Sequence, residues 1–430
     1  DGFGGSIAMW GTHADDEALR IALKELDISF VRAQGEVNKR GVSDYNRDLL
    51  QRAMKLKPDL QVLLTFWQPR SLRFQKIEDW LDVVKHDGGG QYFLKPSMEN
   101  AWAEEIVSRV KQYLDWGVRV TAVGVQNESN FSHIGTQTCM WEPERLRQFI
   151  ENQLKPKLGR AGLDVKIVAP DLAYVGPGGS ELKRFLPSTK IPSVDVVAYH
   201  MYDSYREGMD GSLALLEQNA LEIGKIRKTH FPGKRFWMTE TTGAQWNNEE
   251  WHTYGWSPHL NEYDKALLAA QYIHMTFTKA EANAFFWWGL IYSLAPDKIT
   301  DPNVREKHRD EGLVLVQEKR GADNRQKFIE RTKKYFFFKQ FSNFIGVGFT
   351  RIEINSPAKF PLCAFISPDK KTVVAVAINT SGEAKKISFE NNFNSTSSEA
   401  YQTDKNRNCE PVSVESAIPP KSVKTFVFKR

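Results

Sequence analysis

The sequence predicts an α/β chain: a (β/α)8 TIM barrel with an additional C-terminal all-β sandwich domain. Three observations predict it. Short apolar, β-branched runs alternate with helix-periodic segments through the first three quarters of the chain. Those runs are continuously apolar, the pattern of strands buried on both faces in a parallel sheet. After residue 344 the rhythm changes to short strands separated by turns. A doubly wound open sheet also alternates strand and helix, and stays the alternative at this point.

The eight barrel strands are expected at residues 5–9, 28–33, 61–66, 120–126, 165–169, 194–199, 235–239 and 283–289. The helices have readable ends. Residues 14–26 carry Asp15 and Asp16 at their start, 97–116 stop at Gly117, and 143–161 stop at Gly162. Residues 212–229 halt before Phe231-Pro232-Gly233, and 263–280 lead into the eighth strand. Acid-rich starts and Gly or Pro stops are the expected capping chemistry. The Phe-rich segment 326–344 reads as one helix packed between two domains, a barrel over 1–335 and a β-sandwich over 336–430. Within the second domain, strands are expected at 350–354, 361–366, 372–378, 386–389, 412–416 and 423–428, with turns such as Ser367-Pro368-Asp369 and Pro419-Pro420 between them.

Composition narrows the function. With 41% hydrophobic and 26% charged residues the chain is globular. It has no apolar run long enough to span a membrane. A net charge of +5, without a basic stripe, gives no case for nucleic acid as a partner. Three cysteines exclude a disulfide scaffold and a Cys-rich zinc site. No His-Glu-x-x-His or Cys-x-x-Cys occurs, so neither a metal nor another cofactor is expected. Gly176-Pro177-Gly178-Gly179-Ser180 lacks the Lys-Ser/Thr of a phosphate loop, and no Gly-x-Ser-x-Gly elbow is present. The 12 Trp are the informative surplus, because indole faces serve large cores but also flat ligands, sugars included. The chain opens on Asp1-Gly2-Phe3 with no basic or apolar leader, which fits a cytosolic protein or one whose signal peptide has been removed.

In a barrel of this kind the active site lies at the C-terminal ends of the strands. The polar residues there are Arg32, Trp67, Asn127 with Glu128, Asp171, His200 with Tyr202, Glu240, and Trp287 with Trp288. Glu128 and Glu240 each end a strongly apolar strand, where folding does not require a glutamate. Two facing carboxyl groups are the minimal machinery of glycoside hydrolysis: one protonated to donate to the leaving oxygen, one ionised. Barrel-end salt bridges are the alternative. Asn127 fits a donor to a sugar 2-hydroxyl, and His200 and Tyr202 share one strand face. Trp67, Trp287 and Trp288 can floor a sugar subsite, although one of the adjacent pair must face away because strand side chains alternate.

These motifs, in this order, resemble glycoside hydrolase family 30, a family of retaining (β/α)8 glycosidases. The resemblance covers nearly the whole chain. It is carried by Asp1-Gly2-Phe3-Gly4-Gly5-Ser6, Val125-Gln126-Asn127-Glu128, Ala198-Tyr199-His200-Met201-Tyr202, Trp237-Met238-Thr239-Glu240, Phe285-Phe286-Trp287-Trp288 and Gln340-Phe341-Ser342-Asn343-Phe344-Ile345. It implies Glu128 as acid/base and Glu240 as nucleophile, with net retention, and a β-sandwich fused to the side of the barrel. It also implies a strand of that sandwich ahead of the Gly-Phe-Gly-Gly segment, a strand expected to be missing or trimmed here. Ser129 stands where many relatives have Pro. The expected activity is a retaining endo-β-glycanase on a polysaccharide, xylan slightly ahead of β-1,6-glucan and β-1,6-galactan. An exo-acting, glucosylceramidase-like β-glycosidase is the nearest alternative, and a catalytically silent carbohydrate-binding protein the next. An aldolase or isomerase would need a Schiff-base Lys, a phosphate site or a metal, none of which stands at a strand end. A secreted or periplasmic monomer is expected, and the loop over 291–325 is expected to be solvated or to line the cleft.

Overall fold

The protein is described by a computed structural model that covers residues 1–8, 14–35, 42–69, 79–86, 89–132, 139–202, 213–242, 244–246, 253–255, 261–294, 311–320, 325–355, 360–390 and 393–430. Met9, Gly88, Ser212 and much of the 291–325 loop lie outside the described residues.

Eight strands close into a barrel: β1 (Gly2–Ala8), β2 (Phe30–Gln34), β3 (Gln61–Thr65), β4 (Val120–Gly124), β5 (Lys166–Val168), β6 (Val196–Tyr199), β7 (Arg235–Met238) and β8 (Ala284–Leu294). Each pairs in parallel with the next, and β8 returns to β1 from Gly2↔Ala284 to Ser6↔Gly289. Closure removes the edges that an open doubly wound sheet would keep. β8 runs past its expected end because its second half pairs with β9 (Gly312–Arg320), which hairpins onto β10 (Arg325–Arg331).

That hairpin corrects the reading of 326–344 as one helix. The first part is β10, whose backbone groups are taken by β9. The helix is confined to Lys333–Ser342, started by Thr332, whose side chain accepts from the Tyr335 N–H. The other helices stand close to their expected places. Asp15 caps Asp16–Leu23, Asn261 caps Glu262–Thr278, and Glu99–Asp115 ends at Gly117 with φ +77°. Helix Val42–Leu56 and the hairpin Leu81–His86/Gly89–Leu94 are additions to the expected list.

The barrel interior is filled by Phe30, Leu63, Ala122, Val168, Val196, Ala198, Trp237, Ala284 and Phe286. Small residues make room for large ones: the Trp237 and Phe286 rings lie 5.8 Å apart, with Phe30 5.1 Å from Trp237. Gly5 of β1 sits where a Cβ would run into the Trp287 carbonyl and the Leu290 side chain. Gly5→Ala is therefore expected to destabilise the fold by about 1–3 kcal/mol through overpacking, measured as a lowered denaturation midpoint with an unchanged m-value.

The C-terminal part forms β11 (Thr350–Ile352), β12 (Leu362–Ile366), β13 (Thr372–Asn379), β14 (Ser397–Thr403), β15 (Asn408–Val412) and β16 (Ser422–Lys429). They make one antiparallel sheet in the order β11-β12-β13-β16-β14-β15. One face continues the barrel core, with Phe365 against Phe277 of helix Glu262–Thr278. Gln340 docks helix Lys333–Ser342 on this face, donating to Thr403 Oγ1 (2.9 Å) while its carbonyl accepts from Thr425 Oγ1 (2.7 Å). The other face carries Ala364, Ala375, Ala377, Phe426 and Phe428, covered by Ile387, Phe389, Phe393 and Val414. The molecule is thus a (β/α)8 barrel with a β-sandwich side domain. Two expected strands differ. Residues 386–389 form a covering segment held by a single bridge, Lys385↔Ile418, and the strand expected at 412–416 lies at Asn408–Val412. All three cysteines are free, and no helix among the described residues is long and apolar enough to cross a membrane.

Candidate active site

The polar residues converge at the C-terminal ends of the strands. Arg32 is the centre of the group. It lies inside β2, fully buried, because alternate residues of that strand point into the barrel and Phe30 occupies the position below. Its Nη1 donates to Glu240 Oε2 (2.5 Å), and its Nη2 donates to Asn127 Oδ1 (2.6 Å) and Asp171 Oδ2 (2.9 Å). The guanidinium also stacks over Trp67, 4.6 Å from the ring centroid. A buried arginine needs such partners, since an unpaired cation in this surrounding would cost several kcal/mol.

Guanidinium can only donate, so the Asn127 atom facing it is the carbonyl oxygen, and the amide NH2 is the end left for a ligand. Glu240, nearly buried, accepts from Arg32 on one oxygen and from the Tyr202 hydroxyl (2.7 Å) on the other. Two donors, one a full cation, are the surroundings of an anionic carboxylate.

Glu128 has unlike surroundings. Its side chain keeps 13% exposure, and its Oε1 faces His200 Nδ1 at 3.2 Å. Burial is the largest influence and raises its pKa above the ordinary value. The His200 hydrogen bond opposes this, while the charge of Glu240 adds to it. The Glu128, Glu240 and His200 polar atoms all lie within 4.8 Å of one another. This grouping is of the kind that can hold a cation. Here, however, Arg32 already occupies Glu240 and His200 lies between Glu128 and Asp171, so these oxygens are committed to proton-bearing partners.

His200 is fully buried, with Nε2 3.2 Å from Asp171 Oδ1. Burial alone would pull its pKa down. The charges of Glu240 and Asp171 and the hydrogen bonds to Asp171 and Glu128 overcome this and raise it to about 9. Asp171 is also fully buried, which by itself would raise its pKa, yet the Arg32 and His200 charges and the His200 and Thr239 hydrogen bonds hold its carboxyl well below the usual range. The cluster then contains two cations, Arg32 and His200, and two anions, Asp171 and Glu240. A protonated Glu128 leaves it neutral, the least costly state for a buried group.

The loop bearing Glu128 is stitched to the loop bearing Asp171. The Glu128 N–H donates to the Asp171 carbonyl (2.8 Å), Ser129 Oγ to the Pro170 carbonyl (2.7 Å), and Asn130 Nδ2 to the Tyr174 carbonyl (2.8 Å). Ser129, the departure from the family pattern, thus contributes a hydrogen bond that proline could not make. Glu128, Asp171 and Met201 all adopt positive φ (53°, 59° and 63°), uncommon for residues with a side chain and here gathered at one site.

Trp288 is half-buried, with its ring 6.2 Å from that of Trp67, the indole on which Arg32 stacks. Trp287 is not brought to this group. It points outward from β8 into the core beneath the helices, and its Nε1 donates to the Glu311 carbonyl (2.6 Å). Alternation along the strand is the reason. Asp171 was placed at a strand end by the sequence but given no role there, and Thr239 was not among the candidates. The signal available was an aspartate three residues beyond an apolar strand, but its partners come from β2, β6 and β7, which sequence order does not reveal.

The chain is similar to known proteins. Residues 348–426 match the glycosyl hydrolase family 30 beta sandwich domain. The chain is 20% identical to a glucuronoxylanase of Bacillus subtilis over 417 residues, 94% of this chain and 82% of that one. It is 27% identical to an endo-1,6-β-D-glucanase of Neurospora crassa over 203 residues, 45% of this chain and 35% of that one. Among solved structures, a family 30 endoxylanase from Clostridium papyrosolvens superposes with a TM-score of 0.66 at 20% identity, covering 100% of this chain and 96% of that one. The side-domain match, the likeness along the chain and the shared two-part architecture lead to one conclusion: the protein is a glycoside hydrolase that carries the family 30 β-sandwich domain and resembles enzymes of that family along its length.

Proposed function

We propose that the protein is a retaining endo-β-glycanase, with Glu240 as nucleophile and Glu128 as acid/base. The observation that carries this reading is the spacing of two carboxyl groups in unlike surroundings, their facing atoms within 4.8 Å. Retaining enzymes hold their carboxyl groups about 5–5.5 Å apart, whereas inverting ones leave about 6.5–9.5 Å for a water. Glu240 attacks the anomeric carbon as Glu128 gives its proton to the leaving oxygen. Glu128 then takes a proton from the water that releases the sugar from Glu240. Arg32 and Tyr202 hold the Glu240 carboxylate in line, and the Asn127 amide serves the 2-hydroxyl of the sugar. Trp67 and Trp288 supply the apolar floor.

The substrate proposed is a β-linked polysaccharide, xylan first, with β-1,6-glucan and β-1,6-galactan as the other candidates. Likeness to the glucuronoxylanase over 94% of the chain supports that order, against 45% for the β-1,6-glucanase. A polymeric substrate is met outside the cell, so a secreted or periplasmic monomer is the matching setting. The proposed domain division, 1–335 and 336–430, falls within helix Lys333–Ser342, which packs on both parts. Product analysis on glucuronoxylan, β-1,6-glucan, β-1,6-galactan and aryl β-glycosides tests the reading. Oligomers from one polymer support it, and release of monosaccharide alone would replace it with an exo-acting enzyme.

The protonation state of Glu128 fixes the pH dependence. Its raised pKa keeps the acid form present above the ordinary carboxylate value of 4.5. Activity is lost as pH rises through that displaced titration. The expected profile of kcat/KM has an alkaline limb displaced above pH 4.5, and a limb at the ordinary value would count against Glu128 as the acid.

A further inference from the structure

We propose that Asp171 is a positioning residue for leaving-group protonation: it keeps His200 doubly protonated, so that Nδ1 cannot take the Glu128 proton, which stays on the oxygen facing the scissile bond. The inference rests on the reading of Glu128 as acid/base and Glu240 as nucleophile. It goes beyond that reading because Asp171 touches neither reacting atom.

The geometry is an unbroken chain of contacts between the two glutamates. Glu240 accepts from Arg32, Arg32 donates to Asp171, Asp171 faces His200, and His200 faces Glu128. Asp171 lies within hydrogen-bond distance of both cations, 2.9 Å from Arg32 and 3.2 Å from His200, whereas Glu240 meets Arg32 closely and stands 4.0 Å from His200. It is fully buried, and Thr239 donates to its Oδ1 from a third strand. The charged and titratable groups around the chain are Arg32 from β2, Glu128 after β4, His200 and Tyr202 after β6, and Glu240 after β7.

The chemistry turns on His200. A neutral imidazole has one donor and one acceptor nitrogen. With Nε2–H bonded to Asp171, a neutral ring would present Nδ1 as an acceptor to Glu128. The Glu128 hydroxyl would then donate to Nδ1 and be lost to the leaving oxygen. A charged Asp171 favours the imidazolium instead, whose Nδ1–H donates to Glu128 Oε1. The Glu128 proton then resides on Oε2. Burial opposes the imidazolium, but the charges of Glu240 and Asp171 outweigh it and the ring's pKa rises to about 9.

Nitrogen-15 NMR of the imidazole signals, assigned by loss in His200→Gln, tests this on the wild-type enzyme. Both His200 nitrogens are expected to be protonated at pH 7, and a neutral His200 there overturns the proposal without any variant of Asp171. In Asp171→Asn the ring is expected to be neutral at pH 7. Turnover of the polymer should fall about 10²-fold relative to an aryl glycoside whose leaving group needs no proton. The alkaline limb should also move up by about one pH unit, as Glu128 loses an adjacent cation. Equal loss on both substrates with an unmoved limb would make Asp171 a structural residue and overturn the proposal. The two readings fail separately: full polymer turnover by Glu128→Ala defeats the acid/base assignment, whereas a neutral wild-type His200 defeats only the role of Asp171.

Discussion

Replacing Glu240 with glutamine is expected to lower turnover on the order of 10⁴-fold or more while leaving the fold in place. The amide has no lone-pair charge to form the glycosyl bond, and no neighbour can take its role, because Glu128 faces His200 and Asp171 is fully buried behind Arg32. The fold survives because glutamine keeps the volume. Its carbonyl can still accept from Arg32, and its NH2 can donate to the Tyr202 oxygen in place of accepting from it. Circular dichroism and the denaturation midpoint should stay near wild type, since a change confined to one partly compensated ion pair costs little beside the intact core. Turnover at the wild-type rate would remove Glu240 from the mechanism.

Removing Glu128 is expected to divide substrates by leaving group. Glu128→Ala should lose about 10²–10⁴-fold on a polysaccharide, whose departing alkoxide needs a proton. An aryl glycoside with an acidic phenol departs unaided, so its phenol should still be released once, as a burst, before the glycosyl-enzyme stalls for want of a base. A small anion such as azide needs no base and fits the space vacated by the carboxyl. It should restore turnover and give a glycosyl azide of unchanged anomeric configuration. Equal loss on both substrates, or no response to azide, would show that Glu128 acts on stability rather than on proton transfer.

Much of this arrangement was legible in the sequence because burial on both faces leaves a plain mark. All eight parallel strands appeared as apolar runs, and Arg32, Glu128, His200 and Glu240 were visible as the polar residues that interrupt or end them. Elements stabilised by pairing rather than by apolar content were harder. Ser397–Thr403 is polar along its first half and is a strand because β15 and β16 flank it. Arg325–Arg331 is charged at both ends and exists through β9. Residues 386–389 alternate like a strand, yet their apolar side chains serve as a cover for the sheet.

The site divides the same way. Residue types at strand ends disclosed the carboxyl pair. Which of Trp287 and Trp288 turns inward depends on strand phase, and the pairing of Asp171 with Arg32 and His200 depends on which strands face one another across the barrel. Neither is encoded in local periodicity. Closure of the barrel between β1 and β8 decides both.

The most direct measurement is the anomeric configuration of the first product, followed by proton NMR during early cleavage of the preferred polysaccharide. Double displacement through Glu240 predicts that the β-anomer of the new reducing end appears first and the α-anomer only later by mutarotation, with no product from Glu240→Gln. An α-anomer formed first would mean inversion, and would contradict the account despite the close approach of the two carboxyl groups.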